Sequence, residues 1–128
     1  MKVTVGGRPH YLKIKPIQWD KPSCSKLQTE CKQLLKGFWQ GDNVGEEVKL
    51  PGTRLEFDFV NVTKRTIIEI QGRQHAKYVK HFHKNVFGFM GSMKRDEKKA
   101  KFAEENGLTL LCANNANELR MALTGVFP

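Results

Sequence analysis

Acidic residues interrupt two neighbouring segments of this 128-residue chain that otherwise have the pattern of β-strands. Residues 54–61 alternate apolar and polar side chains and contain Asp58, and residues 66–71, beyond a Thr-Lys-Arg turn, contain Glu69. The predicted apolar face of the first segment comprises Leu55, Phe57 and Phe59. Acidic residues are depleted in strands, and a buried charge is costly unless it is paired or binds a metal. The pattern therefore predicts adjacent strands with Asp58 and Glu69 projecting together, and solvent-facing edge positions are the alternative.

A hairpin and a capped helix are predicted before these strands. Residues 1–20 alternate around a Gly-Gly-Arg-Pro turn, which indicates a β-hairpin. Ser25 and Gln28 have the spacing of a helix-capping box, and Gly37 and Gly41 mark the predicted end of that helix. Its predicted core-facing stripe comprises Leu27, Cys31, Leu34, Leu35 and Phe38.

The remaining elements predict one mixed sheet covered by helices. They are a short strand at residues 46–50, a helix at 95–106, a strand at 108–113 and a last helix at 115–123, with an irregular basic stretch at 73–94. The order hairpin, α, β, β, β, α, β, α is typical of an α+β (or α/β) fold. We expect a single domain over residues 1–128, with a hairpin extension at 1–20 and a core at 25–113.

Positive charge is concentrated in one part of the chain. Lys and Arg number 22 against 13 Asp and Glu, a net charge of +9. Residues 64–101 hold eleven basic and three acidic residues, and so contribute +8 of that total. Clustered Lys and Arg side chains release counterions from phosphates, which favours a polyanion-binding surface over a merely solvated face.

Several other classes of protein are excluded or disfavoured. No run of about 18 apolar residues is present, and the N-terminus lacks the apolar region of a secretory signal, so we expect a cytoplasmic protein without a membrane partner. Glycine-rich nucleotide-binding motifs are absent, which argues against a nucleotide cofactor. The spacing of Cys24, Cys31 and Cys112 fits neither a zinc knuckle nor a disulfide framework. A zinc pair at His81 and His83, or a Cys–His nucleophile, has little support from spacing.

The carboxylates and the basic segment together indicate a metal-dependent phosphodiester site. Carboxylates beside a phosphate-binding surface would repel the substrate unless a divalent cation lies between them. Mg²⁺ takes oxygen ligands and typically uses one or two carboxylates plus substrate phosphate. In the helix at 95–106, a 100° step places Arg95, Asp96 and Lys99 on the side of the apolar Phe102.

The ordered set of motifs resembles the PD-(D/E)xK nuclease superfamily, in the branch similar to very-short-patch repair endonucleases and related phage and homing endonucleases. The matching segments are Ser25-Lys26-Leu27-Gln28, Glu56-Phe57-Asp58, Glu69-Ile70-Gln71-Gly72-Arg73-Gln74-His75 and Arg95-Asp96-Glu97-Lys98-Lys99. The resemblance covers roughly residues 25–113. It implies a restriction-endonuclease-like core of order αβββαβ.

The resemblance also implies a ligand set and two departures from the family pattern. Asp58, Glu69 and the carbonyl of Ile70 would hold Mg²⁺ or Mn²⁺. Gln71 stands where the superfamily has its lysine, and part of that role is assigned to His75, Lys77 or Lys99. Some relatives have a catalytic glutamate at the position of Gln28, and Glu30 is the first candidate to replace it. Glu56 and Asp96 are expected in supporting positions.

The expected activity is that of a DNA endonuclease that nicks or cuts both strands, related to phage or mobile elements and able to act as a homodimer. The predicted DNA-binding residues are Arg73, Lys77, Lys80, His81, His83, Lys84, Lys94, Arg95 and Lys99. The main alternative is a nucleic-acid-binding protein on a nuclease-like fold without activity, which the missing motif lysine favours. An interaction domain for an acidic protein is a weaker alternative.

Overall fold

The computed structural model describes residues 1–71, 77–79, 86–90 and 93–125, and for 77–79, 86–90 and 93–96 it describes the backbone alone. The elements in chain order are β1 (Lys2–Val5), β2 (Arg8–Tyr11), α1 (Lys26–Trp39), β3 (Val44–Lys49), β4 (Glu56–Asn61), β5 (Thr66–Ile70), β6 (Lys77–Val79), β7 (Val86–Met90), α2 (Met93–Glu105), β8 (Thr109–Ala113) and α3 (Ala116–Thr124). Among these residues, no helix is both long enough and apolar enough to cross a membrane.

The central sheet is mixed, with the strand order β3-β4-β5-β8-β7-β6. β3, β4 and β5 are antiparallel neighbours, and β8 runs parallel to both β5 and β7. β6 closes the far edge antiparallel to β7, and β1 and β2 form a separate hairpin. The predicted α+β class and the N-terminal hairpin are therefore confirmed.

The prediction of an irregular stretch at residues 73–94 is wrong for two of its parts, because the backbone there forms β6 and β7. Gly88 and its aromatic neighbours suggested an interrupted segment, yet Gly88 pairs with Cys112 of β8. A strand next to an apolar central strand gains its hydrogen bonds from that neighbour, which local sequence pattern does not reveal.

Helices and the hairpin cover opposite faces of the sheet. One cluster joins α1 and α3 to the sheet and includes Leu35, Trp39, Leu119, Ile68 and Leu111. The other joins α2 and the hairpin to the sheet and includes Val3, Leu12, Phe102, Ile67 and Leu110. Each sheet face thus has its own apolar core, which is why the inner strands carry apolar residues on both sides.

The prediction that Leu55, Phe57 and Phe59 share one face is wrong for Phe59, whereas Leu55 and Phe57 pack in the same cluster. Phe57 packs in the cluster of α2, with its ring centroid 5.2 Å from that of Phe102, whereas Phe59 packs in the cluster of α1 and α3. Two side chains two residues apart lie on the same face of a regular strand. β4 is therefore irregular at Asp58, the residue between them.

The predicted stripe of α1 is wrong at its end. The helix continues through Gly37 to Trp39, which is buried, while Phe38 is 42% exposed. Trp39 lies four residues after Leu35, so the helical repeat brings it to the sheet in place of Phe38. The predicted cap is confirmed, because the Ser25 hydroxyl accepts a hydrogen bond of 3.0 Å from the Gln28 N–H.

Local sequence signals mark the end of α2 and the start of α3. Gly107, two residues after the end of α2, has φ +64°, and the N–H of Leu108 donates back to the carbonyl of Ala103. Glycine adopts this left-handed conformation without the steric cost that other residues have. The side chain of Asn115 caps α3 by accepting a hydrogen bond from the N–H of Glu118.

Asn106 joins the hairpin to the end of α2. Its side-chain oxygen accepts from the N–H of Thr4 at 2.7 Å, and its side-chain nitrogen donates to the carbonyls of Thr4 and Phe102. We expect Asn106→Ala to lower the free energy of unfolding by about 1–3 kcal/mol, because it leaves partly buried backbone groups unpaired. Urea denaturation measures the change. The control is Asn117→Ala at an exposed position of α3, and equal stabilities of the two variants would contradict this role.

Candidate active site

Backbone pairing between β4 and β5 stops where the two carboxylates lie. The ladder is regular through Phe59 opposite Ile68. Beyond that pair, the N–H of Asp58 donates to Oε2 of Glu69 at 3.2 Å, and the N–H of Ile70 donates to Oδ2 of Asp58 at 2.7 Å. Each carboxylate therefore takes a backbone hydrogen bond from the opposite strand in place of a carbonyl. This exchange explains the irregularity of β4 and holds the two acidic side chains together.

A buried lysine of α2 completes the group. Lys99 is only 6% exposed, and its ammonium pairs with Oε1 of Glu69. It also donates to the backbone carbonyl of Glu56 at 2.8 Å and lies 5.7 Å from the centroid of the Phe57 ring. A lysine so enclosed keeps one position, because both partners and the aromatic wall restrict its rotamers. Asp58, Glu69 and Lys99, called the acid–lysine triad below, thus come from three elements.

Electrostatics in the triad favour an added positive charge. Burial, and after it the negative charge of Asp58, raise the pKa of Glu69 to about 8 against the opposing effect of Lys99. Glu69 is 4% exposed, so water screens this repulsion poorly. A proton or a cation would relieve the repulsion between the two carboxylates.

The donor set fits a hard divalent cation that keeps several waters. No group of three or more His, Cys, Asp or Glu side chains in the described part of the chain has the arrangement of a metal site. Two carboxylates are sufficient for Mg²⁺, which usually binds one or two carboxylates together with water and phosphate. Each oxygen of Glu69 accepts one hydrogen bond, from Lys99 or from the Asp58 N–H, and keeps a second lone pair that a metal could use.

The other predicted site residues of the core differ in burial and in their contacts with this triad. Gln71, half-buried, follows β5 and donates its N–H to Ala113 at 2.7 Å. The side chain of Glu56 is exposed, and its backbone carbonyl accepts a hydrogen bond from Lys99. Gln28 is buried on α1, whereas Glu30 is exposed and, among the described residues, forms no hydrogen bond or ion pair with the triad.

Most of the predicted DNA-binding residues cannot be placed. Arg73, His75, Lys80, His81, His83 and Lys84 lie outside the described residues. The side chains of Lys77, Lys94, Arg95 and Asp96 do as well, although their backbone belongs to β6 and α2. Their roles stay predictions.

Sequence reasoning missed a buried ion pair beside the lead helix. Lys32 of α1 is 2% exposed and donates to Glu46 of β3 at 3.0 Å and to the carbonyl of Lys21 at 2.7 Å. The other carboxylate oxygen of Glu46 accepts from the amide of Gln28 at 2.8 Å and from the hydroxyl of Ser23. The available signal was Lys32 one helical turn after Gln28, on the face that packs on the sheet.

Glu47, next to this ion pair, has an unusual backbone. Its φ is +54°, which is uncommon for a residue other than glycine, and the register places it opposite Asp58. The nearby Cys24 thiol donates to Oε1 of Gln28 at 3.3 Å, and its pKa is raised by the Glu47 side chain, then by burial and by the charge of Asp58. The start of α1 therefore lies within electrostatic reach of the triad.

The two neighbouring glutamates provide a matched test of the ion pair. Glu46→Gln removes the charge that balances Lys32, and we expect it to lower the free energy of unfolding by about 3–5 kcal/mol, as for other buried pairs that lose one partner. Glu47→Gln, at an exposed position, is expected to change it by less than about 0.5 kcal/mol. Chemical denaturation compares them, and a similar effect of both variants would contradict the assignment.

Comparisons with known proteins give distant viral relatives. No protein-family profile matches the chain, and no solved structure matches it significantly. It is similar to the uncharacterized protein 033L of Invertebrate iridescent virus 3, with 36% identity over 96 residues, which are 71% of this chain and 50% of that protein. It is also similar to the uncharacterized protein 307L of Invertebrate iridescent virus 6, with 37% identity over 57 residues, 44% of this chain and 29% of that protein. The chain thus spans half or less of the length of these curated relatives.

Proposed function

We propose that this chain is a metal-dependent DNA endonuclease of the PD-(D/E)xK type. The observation that carries the proposal is the acid–lysine triad. Its members are 41 positions apart along the chain, from Asp58 to Lys99, and each belongs to a different motif of the superfamily pattern. In the fold, Glu69 accepts hydrogen bonds from the Lys99 ammonium and from the backbone N–H of Asp58, and the Asp58 carboxylate is near enough to raise the pKa of Glu69.

The arrangement of elements supports the same proposal. The order α1, β3, β4, β5, α2, β8 contains the αβββαβ order of a restriction-endonuclease-like core, with β6 and β7 inserted before α2. Of the strands in that order, β8 is the parallel neighbour of β5, and the sites of open α/β sheets lie beyond strand ends. Glu69 is the penultimate residue of β5, at such an end.

In the proposed hydrolysis, different residues bind the metal, orient the attacking water and bind the DNA backbone. Asp58 and Glu69, with the carbonyl of Ile70, would hold Mg²⁺ or Mn²⁺, which when bound lowers the pKa of a coordinated water and polarises the phosphoryl oxygen. Lys99 takes the role of the lysine that Gln71 does not supply: its ammonium, fixed beside Glu69, orients the attacking water and stabilises charge at the phosphate. Basic residues of the segment 64–101 neutralise the DNA backbone.

A nucleic-acid-binding protein without catalytic activity is the second candidate. It is favoured by the buried ion pair between Lys99 and Glu69, in which the ammonium balances the charge of that carboxylate. An ion pair that replaces the metal would leave a nuclease-like fold with DNA affinity alone. Salt-sensitive DNA binding without cleavage under any divalent cation would favour this candidate.

The biological setting is part of the proposal. The relatives are uncharacterized viral proteins. The role to test is therefore DNA processing in a virus or a mobile element. One site cuts one strand, and a homodimer in the cytoplasm would cut both. The substrates to compare are supercoiled, mismatched and branched DNA.

Charge-neutral variants of the two acids test the activity directly. We expect wild-type protein to nick supercoiled plasmid in Mg²⁺ or Mn²⁺ and to be inactive in EDTA. Asp58→Asn and Glu69→Gln are each expected to lower the rate at least about 100-fold, because each removes an electrostatic contribution at the reacting phosphate. The control Glu97→Gln, at an exposed position of α2, should cleave normally. Full activity of either acid variant would overturn the assignment.

Adjacent lysines of α2 test the role of the buried one. Lys99→Gln is expected to lower the cleavage rate about 10²–10³-fold while DNA affinity changes little, because the side chain is buried beside Glu69. Lys98→Gln, one residue earlier and exposed, removes the same charge from the surface and should leave the rate unchanged. Single-turnover cleavage and DNA binding in Ca²⁺ separate the two effects. Equal rates for the two variants would contradict the role given to Lys99.

A further inference from the structure

The outer surface of the N-terminal hairpin is aromatic and exposed. All four residues of β2 are exposed, and the Tyr11 side chain is 70% exposed. Only one other large hydrophobic side chain of the described residues, Phe38 at 42%, is exposed to a comparable degree. An aromatic ring that a small protein leaves open to solvent on a rigid strand is suited to contact with a partner.

The N-terminal segment that contains the hairpin is positively charged. Residues 1–19 contain four Lys and Arg residues and no acid. The four are exposed: Lys2, Arg8, Lys13 and Lys15. The acidic side chain that approaches the hairpin, Glu105, accepts hydrogen bonds from the N–H groups of Gly6 and Gly7 at the turn. The turn lies at the opposite end of the hairpin from Tyr11.

Register brings the aromatic ring and an ammonium group together. Tyr11 is directly opposite Lys2 in the antiparallel pair, so the two side chains share a face. The neighbouring Leu12 is fully buried, and its N–H donates to the carbonyl of Met1 at 2.7 Å. Val3 is buried as well, so the hairpin is anchored through its inner side chains and presents Tyr11 from a fixed backbone.

An exposed ring beside several ammonium groups is complementary to one type of ligand. The ammonium groups pair with phosphates, and the ring stacks on a nucleobase, a contact that every base can make. Bases in a duplex are stacked on each other and do not offer their faces. The combination therefore fits a strand whose bases are unpaired better than it fits a duplex.

We propose that Tyr11 and Lys2 on the outer face of the hairpin, with the exposed Lys13 and Lys15 that follow β2, bind an unpaired DNA strand. This inference rests on the proposed function in taking DNA as the partner, and it adds a contact surface outside the acid–lysine triad. The hairpin would hold a single-stranded arm of the substrate while the triad acts on the phosphodiester. Arms of this kind occur in branched and partly unwound DNA.

The test is a binding measurement that does not depend on cleavage. Fluorescence anisotropy of a labelled single-stranded oligonucleotide in EDTA is compared for wild-type protein, Tyr11→Ala and the matched aromatic control Phe38→Ala. We expect Tyr11→Ala to weaken binding at least about 5-fold and Phe38→Ala to leave it unchanged. Tyr11→Phe, which keeps the ring, should bind as the wild type does. Equal effects of the two alanine variants would overturn the proposal.

Charge variants and a duplex complete the experiment. Lys13→Gln is expected to reduce the slope of log affinity against log salt by about 0.7, the value for one phosphate contact on a single strand. Lys26→Gln, which removes an exposed lysine from α1 on the other side of the sheet, should not change it. An equally large loss for Tyr11→Ala on blunt duplex DNA would overturn the assignment to an unpaired strand. Failure of the triad variants to affect cleavage would contradict the nuclease and leave this result unaffected.

Discussion

The reciprocal hydrogen bonds between Asp58 and β5 determine how this molecule is organised around its site. β4 and β5 pair regularly between residues 59–61 and 66–68, and beyond these pairs the carboxylates of Asp58 and Glu69 accept hydrogen bonds from backbone N–H groups that a regular ladder would satisfy. Buried N–H groups require partners, so the departure from the ladder depends on side-chain oxygen acceptors at these positions. The same irregularity places Phe57 and Phe59 in the cores on opposite faces of the sheet. Lys99 pairs with Glu69 near the end of β5.

Buried charge is the second constraint, and it appears twice. Lys99 with Glu69 joins α2 to the sheet, and Lys32 with Glu46 joins α1 to it on the other face. Buried ion pairs contribute little net stability, yet removal of one partner is strongly destabilising. The role of such pairs is therefore better explained as fixing the position of a helix on the sheet. On the α2 side this positioning serves the proposed catalytic group, and on the α1 side it holds Gln28 and Ser23 against Glu46.

Several elements could be predicted because their signals are local. The cap at Ser25 follows from the hydrogen-bonding needs of a helix start. The hairpin followed from alternation around a glycine turn. The strands β6 and β7 escaped prediction because their stability depends on β8, which is distant in sequence. The end of the α1 stripe was misjudged since Phe38 and Trp39 are both aromatic, and only the packing against the sheet distinguishes them.

The sequence by itself determined which chemical groups are available: two carboxylates in apolar strands, a helix rich in lysine and a positive charge concentrated in residues 64–101. These are properties of composition and short-range spacing. Tertiary structure alone decided which of the candidate lysines lies beside Glu69, because Lys99 reaches it from α2, 30 positions away in sequence. It also decided that Lys32 and Glu46 are a buried pair and that Tyr11 is exposed. Burial and contact depend on how helices dock on the sheet, and the pattern of a single segment contains no information on its neighbours.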